Sequence, residues 1–319
     1  MQPREIIENI KLTHPNIQTL YFVGCGASSS ELYPAEYFMR ANAHKLRTGY
    51  FTANEFNYAT PAACDDTAIV IACSLGGNTP ETVAAAKLAR EKGAVVISIT
   101  HDAASPLAAN GDYVIVHGFE KNYAAKLEKM NNVMMLAVEV LNQYEGCELY
   151  EDMVNGYLHI YDAIENAVSY VLPSAKQFAE DYKSESIIYV MSSGATERVA
   201  YSTSICLLLE MQWVNSGFCN DGEFFHGPFE IVDKDVPYLL LMNDGRTRAM
   251  DSRALDFLNR FDAKTTVIDF GLSNYVPASV AEYFSPMLIT GVVRVYFEQL
   301  AIARNHPLSQ RRYMWKLEY

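Results

Sequence analysis

The sequence has no Cys-x-x-Cys pair, no Pro- or Ser-rich linker, no low-complexity tract and no excess of basic charge. Each absence removes a class of protein. The six cysteines, Cys25, Cys64, Cys73, Cys147, Cys206 and Cys219, are scattered and lie mostly among apolar or small residues. That spacing argues against a metal site or a disulfide framework and points to reduced, buried thiols. With 25 Lys and Arg against 38 Asp and Glu, the formal net charge is −13, which argues against nucleic acid or an anionic membrane as partner. A small anionic ligand stays open, because N–H groups at a helix start can hold phosphate without any basic side chain. Met1 to Glu8 lack the apolar core of a signal peptide, and no run of 18 apolar residues occurs. A cytoplasmic protein without membrane association is therefore expected.

What is present is apolar mass and repetition. Half of the 319 residues are apolar and a fifth are charged, enough for two domains or one built from two similar halves. Residues 3–13 read as a helix and 17–24 as a strand, which runs through Cys25-Gly26-Ala27-Ser28 into a helix over 31–41. A continuous apolar run, 66–73, suits a parallel strand covered on both faces. It ends in Ser74-Leu75-Gly76-Gly77-Asn78-Thr79, and Pro80 fits the first turn of the helix that follows. Further strands are expected at 94–100 and 113–116. A Met-rich helix over about 123–144 reads as core or subunit interface, and a long helical stretch covers about 153–182. Ile187 to Thr196 then restates Leu20 to Ser28 at an offset of 168, with Val236 to Met242 answering Thr67 to Cys73 and Asp262 to Asp269 answering Lys92 to Ile99. Two tandem α/β halves follow, each a doubly wound parallel sheet in three α/β/α layers, with domains at 1–155 and 156–319. The first half offers Ser74 and Thr79 in its second turn, and the second offers Asn243 to Thr247 with charges of both signs. The first therefore reads as the binding half and the second as the reacting one.

Chemistry is expected around Leu208-Leu209-Glu210-Met211-Gln212-Trp213 and Gly222-Glu223-Phe224-Phe225-His226-Gly227-Pro228-Phe229-Glu230. Glu210 ends an apolar run, 205–209, expected to be buried. A carboxylate at the edge of apolar surroundings has a pKa free to rise, and histidine is the side chain that ordinarily titrates near neutrality. Together they suit proton transfer between adjacent carbons. Residue types alone leave the other reading open, with Glu210 a solvated helix end and His226 a turn residue.

These stretches, with Gly24-Cys25-Gly26-Ala27-Ser28 and the Ser74–Thr79 turn, resemble the SIS (sugar isomerase) family of phosphosugar enzymes along essentially the whole chain. The plan is similar to the isomerase half of glucosamine-6-phosphate synthase. The Glu210 and His226 stretches and the tail from His306 to Tyr319 resemble more closely the bacterial deglycases of phosphorylated Amadori compounds, which act on 6-phosphofructose-aspartate or fructoselysine 6-phosphate. The resemblance implies Glu210 and His226 as the catalytic pair, with His226 reaching the site of a neighbouring subunit in a homo-oligomer. It implies Gly26, Ser28, Ser74, Gly76 and Thr79 as phosphate-binding positions, although Gly76 stands where the family usually has a second Ser. Arg312 falls near an active-site lysine of the synthase, as a substrate contact or a solvated side chain. No metal and no organic cofactor are implied. The expected reaction cleaves a 6-phosphofructosyl amino acid to glucose 6-phosphate and the free amino acid through an enaminol. Lys129, Arg311 and Lys316 are candidate partners for a substrate carboxylate, with the amino acid itself left open. The alternatives are an aldose–ketose phosphosugar isomerase, or a non-catalytic sugar-phosphate sensor. The chain is expected to carry neither a glutaminase domain nor a helix-turn-helix segment before its first strand.

Overall fold

The structure, a computed structural model, describes residues 1–119, 123–272 and 274–318. It forms two compact units, Met1–His159 and Ile160–Tyr319.

The first unit begins with α1 (Pro3–Thr13) and β1 (Thr19–Gly24), followed by α2 (Gly26–Asn42), β2 (Arg47–Thr52), α3 (Ala53–Tyr58), β3 (Ala68–Cys73), α4 (Pro80–Glu91), β4 (Val95–Thr100), α5 (Pro106–Ala109), β5 (Tyr113–Val116) and α6 (Tyr123–Tyr144). All five strands run parallel in the order β2-β1-β3-β4-β5. β1, β3 and β4 are buried at every residue, as their largely apolar sequences require of strands covered on both faces, and the one polar residue inside β4, Ser98, donates to the Leu107 carbonyl at 2.9 Å. Chain direction across the sheet reverses between β1 and β3, where Gly24 pairs with Cys73, so the turns after both strands open at one edge. That is where open α/β sheets take ligands. The methionines of α6, Met130, Met134 and Met135, are buried within this unit, so the Met-rich stripe is core.

The helical stretch expected over about 153–182 is two helices, α7 (Tyr150–Tyr170) and α8 (Leu172–Tyr182), broken at Val171 two residues before Pro173. Next come β6 (Ile187–Ser192), α9 (Glu197–Ser202), a π-helical segment (Thr203–Gln212), β7 (Asn215–Asn220), β8 (Pro237–Leu241), α10 (Arg248–Arg260), β9 (Lys264–Ile268) and α11 (Ala281–Ala303). The second sheet is again parallel, in the order β7-β6-β8-β9. The 168-residue offset recurs in backbone detail. Gly26 and Gly194 both take φ near +55 to +58°, and Gly49 and Gly217 both have a tyrosine ring, Tyr21 or Tyr189, 2.9 Å from where a Cβ would stand.

By length and composition α11 is apolar enough to cross a membrane, despite Glu282, Arg294 and Glu298, but it is a core helix. It packs on α8, with Tyr296 and Phe297 against Phe178. All six cysteines are free, and Cys64, Cys73 and Cys206 are buried. Cys25, Cys147 and Cys219 are only half-buried, because each lies at the end of a strand or in a loop beside solvent rather than inside an apolar run.

Candidate active site

In the first unit the sequence-predicted phosphate residues gather on two adjacent turns. α2 starts earlier than its sequence pattern implied, at Gly26 rather than residue 31, because Gly26 turns the chain in the left-handed region and Ser30 Oγ donates back to the Gly26 carbonyl. Ser28 is thereby in the first turn of a helix, where N–H groups lack intrahelical acceptors. Ser74 and Thr79 hydroxyls meet at 2.9 Å, and Thr79 is the residue that caps α4. The turn between them depends on Gly77: its φ is +66°, and a Cβ there would stand 2.1 Å from Ser105 Oγ. Gly76 is different. A Cβ there would meet nothing nearer than Asn78 Nδ2 at 3.7 Å, so glycine leaves room at the cradle rather than relieving strain.

Lys129, one of the candidate carboxylate partners, is instead buried beneath this cradle. It pairs with Glu31 and donates to Ser28 Oγ at 3.3 Å. Burial opposes its charge, and attraction to Glu31 with help from the Cys73 thiol and a Glu31 hydrogen bond outweighs burial, raising the Lys129 pKa. The cradle thus has a fixed cation that local sequence pattern could not place there, since Lys129 lies 101 residues beyond Ser28.

The matching crevice of the second unit is already filled. Ser193, Asn243 and Thr247 occupy the same turns, and the carboxylate of Asp251 from α10 sits among them. It accepts from Ser193 Oγ, from the Asn243 backbone N–H at 2.8 Å and from Asn243 Nδ2 at 2.9 Å. A protein carboxylate therefore stands where a ligand anion would bind. The charges seen in the 243–248 stretch are also committed, Arg246 to Glu282 and Arg248 to Asp269. Beside Asp251 lies Asp221, the residue that follows β7. Both of its carboxyl oxygens are buried without a hydrogen-bond partner among the described residues, and burial together with Asp251 pushes it up to about 9. Burial and the neighbouring Asp251 carboxylate both favour the protonated form of Asp221.

Five residues beyond Asp221 is His226, in a turn held by aromatic packing. Phe224 is fully buried, and Phe224, Phe225 and Phe229 ring Phe257 of α10 at centroid distances of 5.8, 5.4 and 5.6 Å. The Phe-Phe-His-Gly-Pro-Phe sequence is thus a clamp that presents an exposed imidazole.

Glu210 is in the last turn of the π-helical segment, which closes on Trp213 with φ +55°, an uncommon conformation for a side chain of that size. The run before it is less buried than expected: Leu208 is buried, but Leu209 is 42% exposed because it lines an open cavity of about 480 Å³. Glu210, Trp213 and Asn215 border that cavity with Arg311, Arg312 and Tyr313 from the tail. Arg311 was a candidate partner for a substrate carboxylate, but its pairing with Glu210 is a contact that no local pattern shows. It pairs with Glu210 Oε1 at 2.7 Å and is only 8% exposed, whereas Arg312 lies over the Trp213 ring at 4.4 Å. Burial pushes the Glu210 carboxyl above its ordinary range, and Arg311 pulls part of that back. His226 does not line this cavity. The chain therefore brings Glu210 and Arg312 to one cavity, which His226, exposed in its own turn, does not border.

Residues 15–141 match the SIS domain. Over 305 residues the chain is 40% identical to the fructosamine deglycase of Bacillus subtilis (strain 168), covering 95% of this chain and 93% of that protein. Over 298 residues it is 25% identical to the fructoselysine 6-phosphate deglycase of Escherichia coli (strain K12), covering 93% and 86%. A solved structure from Salmonella typhimurium LT2, described provisionally as a phosphosugar isomerase, superposes at a TM-score of 0.95 with 42% identity, covering 100% and 98%. The chain belongs to the SIS-domain family of phosphosugar enzymes. Its two parallel-sheet units are tandem SIS-type domains, and at 40% identity over nearly its whole length it stands beside the fructosamine deglycase within that family.

Proposed function

We propose that the protein is a deglycase that hydrolyses a 6-phosphofructosyl amino acid to glucose 6-phosphate and the free amino acid. The observation that carries this is Glu210: a half-buried carboxylate with a raised pKa, facing a cavity and matched to one guanidinium. Such a group can act as a base near neutral pH. In the substrate the amine is on C1 and the carbonyl on C2. Glu210 removes a C1 proton, giving an enaminol; protonation at C2 gives an imine between C1 and nitrogen. Water adds to C1, the C1–N bond breaks, and the amino acid leaves with the proton it needs. His226 supplies acid chemistry at the oxygen or at C2, from the neighbouring subunit of a homodimer. Its exposure and its absence from the Glu210 cavity favour that arrangement. The cradle of Gly26, Ser28, Ser74, Gly76 and Thr79 takes the phosphate, with Lys129 beneath it. We place the enzyme in the cytoplasm, where sugar phosphates are retained and free thiols stay reduced.

The direct test is glucose 6-phosphate release from synthetic 6-phosphofructosyl-aspartate and 6-phosphofructosyl-lysine. Release from at least one is expected; release from neither, with turnover of fructose 6-phosphate or another ketose phosphate instead, establishes phosphosugar isomerisation, the reading favoured by the description of the Salmonella structure. Ser74→Ala should raise KM for the phosphorylated adduct about tenfold, the worth of one hydrogen bond to a charged group, with kcat little changed.

A further inference from the structure

We propose that Arg311 is the receptor for the α-carboxylate of the substrate's amino-acid portion, and that this carboxylate takes Arg311 from Glu210 as the substrate binds. The inference rests on the deglycase reading above and adds to it what selects the substrate.

Three features of Arg311 lead there. First, its guanidinium is held independently of Glu210: Nη1 donates to the Leu308 carbonyl at 2.6 Å and to the Gln310 carbonyl at 3.0 Å, and the group lies over the Trp315 ring at 5.3 Å. It would keep its place if Glu210 left. Second, its hydrogen bonding is incomplete. Nε is buried without an acceptor among the described residues, and Nη2 is met by a single oxygen of Glu210. The Nε/Nη2 edge is the fork that matches both oxygens of a carboxylate, a geometry one Glu210 oxygen does not exploit. Third, the position fits the chemistry. If Glu210 is the base at C1, its partner lies one contact further from that carbon. The α-carboxylate of an Amadori compound is three bonds from C1, about 4 Å away. The same cation is therefore in reach of both carboxylates in turn.

The exchange has a catalytic consequence. In the substrate-free enzyme Arg311 opposes the effect of burial on Glu210. Once the substrate carboxylate holds the guanidinium, Glu210 remains partly desolvated but loses its cation. It becomes a stronger base when the C1 proton is in front of it. An adduct without an α-carboxylate leaves Glu210 paired, so it is bound less well and deprotonated more slowly. The groups facing Glu210 in the cavity are Arg311 and Arg312, and Lys316 is bound to the Arg311 carbonyl through Nζ.

The test compares two adducts that differ only in that group, 6-phosphofructosyl-glycine and 6-phosphofructosyl-glycinamide. The wild type should prefer the carboxylate by about ten- to a hundredfold in kcat/KM. Arg311→Gln should bring the ratio to about two- or threefold or less, by loss of the charged fork. Arg311→Lys, which keeps the charge without the fork, should lie between, and thermal melting checks that both variants fold. Equal turnover of the two adducts by the wild type overturns the inference and leaves the deglycase reading standing. So does an Arg311→Gln variant that is slower on both adducts by the same factor. Release from neither glycine adduct while the aspartate or lysine adduct is cleaved also overturns the inference, and release from none of the four overturns the deglycase reading with it.

Discussion

Glu210→Gln is expected to lower kcat/KM for glucose 6-phosphate release about 1000-fold while leaving the fold intact. The carboxamide keeps an oxygen able to accept from Arg311 Nη2, so the tail loses little anchoring. What it lacks is a proton acceptor at C1. In the wild type, activity should rise with pH through an acid limb that lies above the ordinary carboxylate range, because burial raises the Glu210 pKa. That limb should vanish in the residual rate of Glu210→Gln. A variant as active as the wild type would remove Glu210 from the mechanism. His226→Ala allows a sharper test of where the imidazole acts. If His226 serves the neighbouring subunit of a dimer, mixing inactive Glu210→Ala and His226→Ala chains gives half mixed dimers. Each of these has one intact site of two, so about a quarter of wild-type activity should return. If His226 served its own chain, every site would stay defective and nothing would return. The measurement is a rate before and after subunit exchange.

How much of this could be read in the chain follows from where the physical constraint is stored. The strands buried on both faces, β1, β3, β4 and β8, carry it locally as largely apolar runs, and sequence reading found them. β2 and β7 are outermost in their sheets and half-exposed, so Arg47–Thr52 and Asn215–Asn220 are mixed in polarity and gave no such run. The clue to them was long-range: Gly49 and Gly217 recur at the same offset as Gly26 and Gly194, each lying against a tyrosine of the neighbouring strand. The site divides in the same way. Glu210 was visible because apolar residues adjoin it, and Ser74 and Thr79 because five residues bring them to one turn. Arg311 on Glu210, Lys129 on Ser28 and Asp251 on Ser193 in the second crevice are partners made by folding across 58 to 101 residues, and no local pattern encodes them. Nor does residue type foretell the π-helical turns that set the carboxylate of Glu210 against the cavity.

Asp251→Ala should be the most damaging single change in the second unit, at about 3–5 kcal/mol, because it removes one partner of a buried polar network. For a unit of this size that is a fall in Tm of about 10 °C. The Ser193 hydroxyl and the Asn243 N–H groups would lose their acceptor, and Asp221 the carboxylate that raises its pKa. Because α10 also carries Phe257, against which the His226 turn packs, turnover should fall with stability. Asp221 makes the network pH-sensitive in a fixed direction. Burial beside Asp251 pushes its carboxyl up to about 9 in the folded protein against an ordinary 3.8. Between those values the folded state binds the extra proton, so this contribution is complete below about pH 4 and declines as pH rises to about 9. Asp221→Asn keeps a donor toward Asp251 and abolishes the titration. It should be more stable than the wild type at pH 8, and its advantage in Tm should widen by about 10 °C between pH 5 and pH 8. Melting curves at the two pH values decide it: a difference that stays constant, or narrows, would mean that the proton is not held on Asp221.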